Sequence, residues 1–207
     1  LGRVVEVVSG QPLGVLLKAR LFDPLGMKDT SFTVPEPDRQ QRIAEPFAGD
    51  GITPGGSLFD PRRPATLESG GGGLMGTVPD YTRFLMMLRN GGQLDGKRYL
   101  GEATVKDMTR DHLGPQVQRT ALYLPGAGYG FGLGFAVRTA PAAGKPDSAV
   151  GEYFWGGAGG TYMWVDPVND LCVVYMMQSP EQRTPHRAAL RELVYGAVTD
   201  AKVAAAR

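Results

Sequence analysis

Residues 151–178 read GEYFWGGAGGTYMWVDPVNDLCVVYMMQ, and the fold turns on how this stretch is understood. It opens on aromatic residues and passes through four glycines and one alanine. It turns at Asp166-Pro167-Val168-Asn169-Asp170 and leaves through Leu171-Cys172-Val173-Val174-Tyr175-Met176-Met177. The pattern predicts a β-hairpin, two apolar strands joined by a Pro/Asn/Asp turn. Glycines in the incoming strand expose bare backbone, onto which something packs closely. Two occupants fit. One is a substrate lying along the strand edge with a backbone N–H aimed at it. The other is a neighbouring helix.

A second glycine-rich run lies just upstream. Gly128-Tyr129-Gly130-Phe131-Gly132-Leu133-Gly134-Phe135 alternates with period two, which puts the glycines on one face of a strand and the large apolar residues on the other. A dinucleotide site would need such glycines in a strand-to-helix turn, so that function is rejected. Downstream, Thr184 to about Ala205 is expected to be a helix, with Ala188, Ala189, Leu193 and Ala197 as a small-residue face suited to a sheet.

The first part of the chain is helical and irregular. Leu1, Val4, Val5 and Val8 fall at helical spacing, and Gly10 ends that run. The pattern begins in mid-helix without a capping residue, so the polypeptide is expected to continue upstream. Pro12 restarts a helix with Leu13, Leu16, Leu17 and Leu21 on its apolar face, ending near Phe22–Met27. Residues 33–68 show no sustained period and read as a long surface excursion. Gly70–Gly73 lacks the Gly-Lys-Ser/Thr of a phosphate cradle, which leaves a tight backbone crossing ahead of a helix. That helix is marked by Thr77 as cap, Pro79 and Asp80 in its first turn, and Tyr81, Phe84, Leu85 and Leu88 as the buried stripe. Gly91-Gly92 stop it, and a second amphipathic segment follows at 102–110 with Ala103, Val105 and Met108 as its apolar contacts. The expected architecture is α+β: a helical and irregular part over 1–127, then three sheet strands and a C-terminal helix over 128–207.

Composition excludes several functions. A net charge of +1, with no long Lys/Arg cluster, argues against a nucleic-acid surface. No apolar run reaches the ~18 residues that span a bilayer. With one cysteine and two histidines there is no zinc-site spacing. Cys172 reads as a buried structural thiol.

A nucleophile was sought within the chain. There is no Gly-x-Ser-x-Gly elbow, since Ser69 follows Leu67-Glu68, and no Ser-x-x-Lys. Thr199-Asp200-Ala201-Lys202 has that spacing with threonine, but it falls in the last turns of the terminal helix. His112, beside Asp111, and His186, after Pro185, read as surface residues. Paired carboxylates are not singled out. The residues therefore give half a site: a backbone cradle without an attacking group.

Five segments, LGRVVEVVSGQPL, LFDPLGMKDTSF, GGGGLMGTVPDYTRFLMMLRNGG, GYGFGLGF and FWGGAGGTYMWVDP, occur in an order that resembles the serine β-lactamase and penicillin-binding-protein-like hydrolases. The nearest resemblance is to class C β-lactamase-like carboxylesterases (family VIII esterases) and related acyltransferases. The resemblance implies the β-lactamase/transpeptidase-like fold, with this chain as its C-terminal portion. It also implies a serine nucleophile in Ser-x-x-Lys and a tyrosine proton-transfer partner, both upstream of this chain, with neither metal nor organic cofactor. Carried over by motif, Trp155-Gly156-Gly157 stands where the family has Lys-Thr-Gly, and the N–H of Ala158 would be one oxyanion donor. Tyr123, Tyr129, Phe131, Tyr153 and Phe154 could wall an apolar substrate pocket or simply pack the core. Lysine at 155 would hold an anionic carboxylate; tryptophan offers only a neutral indole N–H. The expected activity is therefore hydrolysis of carboxylic esters through an acyl-enzyme. β-Lactamase or D-Ala-D-Ala peptidase activity, and a non-catalytic ligand-binding protein of the same fold, are the alternatives. The expected partners are a small ester and the upstream segment, present in the same chain or as a second one. This chain alone is expected to be inactive.

Overall fold

The computed structural model describes residues 1–50, 60–114, 116–118, 120, 123–141 and 149–205. Helix α1 (Gly2–Ser9) ends where Gly10 adopts φ 68°, a left-handed cap that an L side chain rarely takes. Its turns bury no side chain, and Val4, Val7 and Val8 face outward. The next helix ends within the expected Phe22–Met27 segment, by way of a π-helical turn. α2 (Leu13–Leu17) runs through a π-helical turn (Lys18–Phe22) into α3 (Asp23–Leu25), and Gly26 at φ 71° ends it. The wider turn brings Phe22 and Leu25 into the core.

Among its described residues the irregular stretch contains one short helix, α4 (Pro37–Gln40). The glycine tetrad is a backbone crossing: a Cβ on Gly70 would sit 3.1 Å from the Gly2 backbone. α5 (Val78–Arg89) begins as its sequence predicts, with the Thr77 hydroxyl accepting from the Asp80 N–H. Asp80 is itself buried, accepting from the Asp29 N–H at 2.7 Å and the Thr30 hydroxyl at 2.8 Å, so the cap also ties α5 to the 27–31 loop. A two-stranded ribbon, β1 (Gln93–Leu94) and β2 (Lys97–Arg98), precedes α6 (Glu102–Met108). Val105 of α6 is buried while Ala103 is exposed.

The main sheet is antiparallel, in the order β3 (Tyr129–Phe131), β4 (Ala136–Arg138), β5 (Tyr153–Gly156), β6 (Tyr162–Asp166), β7 (Leu171–Tyr175). Among the described residues it has five strands, not the expected three. The alternating GYGFGLGF run is not a single strand. It breaks at Gly132, where the N–H donates back to the Phe135 carbonyl at 2.7 Å, and Gly134 at φ 96° reverses the chain into β4. The glycines on its bare face do press on a neighbour, because Cβ atoms on Gly130 and Gly132 would overlap Asp111 and the Met108 carbonyl. The 151–178 stretch is a three-stranded meander rather than one hairpin. Asp166–Asp170 makes the second turn, and the glycines make the first.

Strand alternation divides the apolar residues between two layers. Tyr153, Met163, Val165, Cys172 and Val174 face α5 and the α2–α3 segment, where Leu85, Met87 and Leu88 complete the larger core. Phe154, Tyr162, Trp164, Val173 and Tyr175 face α7 (Arg183–Ala205). The face of α7 that meets the sheet is not the predicted alanine face. Ala188, Ala189, Leu193 and Ala197 are exposed, and Arg187, Leu190, Arg191, Val194 and Tyr195 turn inward. The sheet surface opposite is aromatic and carries buried acids, so arginine and tyrosine satisfy it where alanine would leave it unpaired.

The clamp between α7 and the sheet is polar. Glu152 and Asp166 are fully buried. Arg191 Nη2 donates to Glu152 Oε2 at 2.6 Å, and the Tyr195 hydroxyl lies 2.8 Å from Glu152 Oε2 and 2.9 Å from Asp166 Oδ2. A buried charge survives only when paired and hydrogen-bonded. Burial raises the Asp166 pKa, but hydrogen bonds from Asn169, the Ala149 N–H and Tyr195 outweigh it and hold the carboxyl below its ordinary value. Tyr195→Phe removes the shared donor and is expected to lower stability by about 1–3 kcal/mol, read as the urea midpoint at neutral pH. A depressed carboxyl contributes stability above its unfolded pKa and loses it as pH falls through the folded one. The stability gap between the unaltered chain and Asp166→Asn should therefore shrink as pH is taken from neutral to below 3.8. A gap constant across that range would rule out an ionised Asp166 in the clamp.

Candidate active site

β5 is paired along its whole length to β6, from Tyr153 opposite Val165 to Gly156 opposite Tyr162. Its other edge is paired to β4 only at Tyr153 and Phe154, opposite Val137 and Ala136. β4 begins at Ala136, so the edge of β5 from Trp155 onward has no ladder partner among the described residues. The turn that follows is closed on itself. The Gly157 N–H donates to the Thr161 carbonyl at 2.8 Å, and the Gly160 N–H donates to the Gly157 carbonyl at 3.2 Å. Ala158 stands at its exposed tip. Its N–H has no hydrogen-bond partner among the described residues, while its carbonyl faces Arg183 Nη1 at 3.4 Å.

The glycines of this turn are required by the chain's own side chains. A Cβ on Gly156 would lie 2.7 Å from the Arg187 guanidinium carbon. One on Gly157 would overlap the Thr161 hydroxyl, and one on Gly159 would overlap the Gln178 amide. Of the two occupants expected for the bare backbone, a helix takes Gly156: α7 lays Arg187 across it. Arg187 Nη2 donates to the carbonyls of Gly157 at 2.6 Å and Thr161 at 2.8 Å. Its guanidinium stacks over Tyr162, 5.1 Å from the ring centroid. Burial, with Arg183 nearby, lowers its pKa from the ordinary value.

The five expected pocket-wall residues do not form one surface. Tyr153 is 3% exposed and packs on Phe135, centroids 5.3 Å apart, so it fills the core. Burial is also the main reason its phenol is pushed well above the usual range. Phe154 lies between Tyr129 and Tyr162 on the α7 side. Tyr129 accepts from Arg138 Nη2 at 2.6 Å, with the Arg138 guanidinium over its ring. Phe131 meets Trp155 edge-on at 5.1 Å, where β4 stops and the open edge of β5 begins. Tyr123 is half-buried in a turn whose Gly126 N–H donates to its carbonyl. Phe131 and Trp155 are thus the aromatic pair standing beside the open edge.

A cleft of about 650 Å³ lies past the turn, between residues 44–50, the end of β7 and the start of α7. Ser179 on its wall donates from its N–H to the Gly159 carbonyl at 2.8 Å, and its hydroxyl is bound by Asp50. Among the described residues no serine is hydrogen-bonded to a lysine or histidine. His112 contacts the Asp107 carbonyl at 2.7 Å, and His186 pairs with the Tyr175 hydroxyl at 3.0 Å. Burial pushes the Cys172 thiol up to about 11, which leaves it protonated and unreactive at neutral pH. No metal-binding cluster of His, Cys, Asp and Glu occurs among the described residues, and none of their helices is long and apolar enough to cross a membrane.

Arg183, Arg187 and Arg191 were not anticipated. Their i, i+4 spacing was visible and marks one helical face, but arginine on an amphipathic helix ordinarily marks the solvent side. Only the buried acids and open carbonyls opposite them reverse that inference.

Esterase EstB of Burkholderia gladioli is 33% identical over 217 residues, covering 94% of this chain and 52% of that protein. Lovastatin esterase of Penicillium rubens is 33% identical over 203 residues, covering 86% and 48%. The structure of a simvastatin synthase (LovD) mutant from Aspergillus terreus superposes with a TM-score of 0.76 at 22% identity, covering 96% of this chain and 53% of that one, which shows a shared fold. The chain spans about half the length of the curated relatives it matches. The β-lactamase family pattern matches residues 1–196, and with the relatives' identity it establishes that this chain belongs to the β-lactamase family.

Proposed function

We propose that this chain is the C-terminal portion of a serine hydrolase that acts on neutral carboxylic esters through an acyl-enzyme. The observation that carries the proposal is the Ala158 amide, without a hydrogen-bond partner among the described residues, at the exposed tip of the turn just past the open edge of β5. An amide held in that way is an oxyanion donor. Each preorganised donor of this kind contributes about 3–4 kcal/mol to the transition state. Trp155-Gly156-Gly157 leads the chain to it, in the place of the family's Lys-Thr-Gly. The nucleophilic serine, its lysine and the tyrosine belong to a segment outside these residues, and the serine's own N–H supplies the second donor.

That segment has a surface to meet. β7 lies at the end of the sheet order, so one edge of the apolar run Leu171–Tyr175 is unpaired among the described strands. Exposed apolar edges are normally covered. The outward valines of α1 offer a second uncovered apolar surface. Upstream strands and helices joining at β7 and α1 would complete the sheet and bring the serine to the turn, from the same polypeptide or from a second chain.

Trp155 sets the substrate class. A lysine there would bind the carboxylate of a β-lactam or a peptide C-terminus through a charge-assisted bond, roughly twice as strong as a neutral one. Tryptophan supplies no charge, and its contact with Phe131 adds apolar surface at the edge. Two relatives named as esterases support the same reading.

The polypeptide carrying this chain together with its upstream segment should hydrolyse p-nitrophenyl butyrate and take up a fluorophosphonate covalently. Neither turnover nor adduct would mean that the fold serves ligand binding without catalysis. Nitrocefin turnover well above ester turnover would favour a β-lactamase. Trp155→Lys should raise kcat/KM for nitrocefin relative to the ester by about five- to tenfold, the margin of about 1 kcal/mol by which a charge-assisted bond exceeds a neutral one. An unchanged ratio would remove position 155 from substrate selection.

A further inference from the structure

The proposed oxyanion donor is half of a peptide unit whose other half is already held. The N–H of Ala158 and the carbonyl of Gly157 belong to the same peptide group. That group is planar, and no cis peptide bond occurs among the described residues, so its N–H and C=O point in opposite directions. Arg187 Nη2 donates to that carbonyl at 2.6 Å.

We propose that Arg187 is a positioning residue that aims and polarises the Gly157–Ala158 peptide for oxyanion stabilisation, an inference that rests on the hydrolase reading given above. Fixing the carbonyl on the α7 side fixes the N–H on the side away from α7. A peptide flip would break the bond to Arg187 and the bond from the Gly160 N–H together. A cationic donor on the carbonyl oxygen also draws electron density from the amide nitrogen. Hydrogen bonds in series strengthen one another in this way, so the N–H becomes the better donor.

The guanidinium is itself held on three sides. The same nitrogen donates to the Thr161 carbonyl at 2.8 Å, which bridges the two ends of the turn. Tyr162 lies under the guanidinium, and Gly156 leaves the only width through which it passes. Both bonds come from one terminal nitrogen, and what a planar guanidinium adds over an ammonium here is its stacking on Tyr162. Arg183 and Arg191, one turn away on either side, have other partners: Arg183 reaches the Pro180 and Ala158 carbonyls, and Arg191 reaches Glu152 and the Tyr162 hydroxyl. The Gly157 carbonyl is therefore served by Arg187 alone among the three.

The test uses the polypeptide that joins this chain to its nucleophile. kcat and KM for p-nitrophenyl butyrate, and the inhibition constant of a trifluoromethyl ketone, are measured for the unaltered protein, Arg187→Met and Arg187→Lys, with thermal unfolding alongside. The ketone forms a serine adduct whose oxygen occupies the oxyanion position. Arg187→Met should lower kcat about 10- to 100-fold with KM nearly unchanged, below the about 10²- to 10³-fold of a donor removed outright. Affinity for the ketone should fall in proportion to kcat/KM, as for any group that acts in the transition state. Arg187→Lys should recover part of both losses. If Arg187→Met unfolds, Arg187→Lys decides, and ketone affinity equal to that of the unaltered protein overturns the role. Turnover by the unaltered protein with kcat and ketone affinity preserved in Arg187→Met overturns the role of Arg187 and leaves the hydrolase reading standing. No turnover by the unaltered protein overturns both.

Discussion

The contact between α7 and the β5–β6 pair governs the rest of this structure. Three arginines at i, i+4 spacing, followed by Tyr195 four residues on, face a sheet surface of aromatic rings, two buried carboxylates and the open carbonyls of one turn. Each group answers a specific need. Arg191 and Tyr195 pair the buried Glu152, and Tyr195 joins the donors of Asn169, Val168 and Ala149 around Asp166. The carbonyls of Gly157 and Thr161 would lose a cationic donor without Arg187. A helix packed by apolar residues alone would leave the buried Glu152 carboxylate unpaired, at a cost above the about 1–3 kcal/mol of an unsatisfied neutral group.

The same contact explains the glycines. The 156–160 turn runs close beneath a guanidinium, around a threonine hydroxyl and against a glutamine amide, with no room for a Cβ at Gly156, Gly157 or Gly159. Ala158 is the residue of that turn with a side chain, and it stands at the exposed tip. Its amide is therefore both held in place and left open. Packing and the proposed chemistry use the same features, because the close approach of α7 that excludes side chains also orients the peptide group.

The aromatic residues around β5 divide along the strand's alternation. Tyr153 is consumed by the core and Phe154 by the α7 layer, while Trp155 reaches the end of the β4 ladder and meets Phe131. A strand that loses its partner halfway offers backbone and one side chain to whatever lies alongside. In the proposed site, the charge at that side chain would select between anionic and neutral ligands.

Much of this was legible in the residues. Hydrophobic period, the Thr77 cap, Gly10 and the turn at Asp166–Asp170 are local, so they specified α1, α5 and the β6–β7 connection. The order of five segments specified the family. The strand number was not legible, because a glycine at φ 96° inside GYGFGLGF reads the same as one in extended backbone until the chain reverses. Nor was the inner face of α7: arginine and alanine at helical spacing are compatible with either side, and burial of an arginine depends on acids and carbonyls 25 to 40 residues away in the chain. Local chemistry thus fixed which residues turn, extend and coil. Three-dimensional packing alone fixed which polar groups face each other across the sheet, because their stabilisation exists only once both partners have left water.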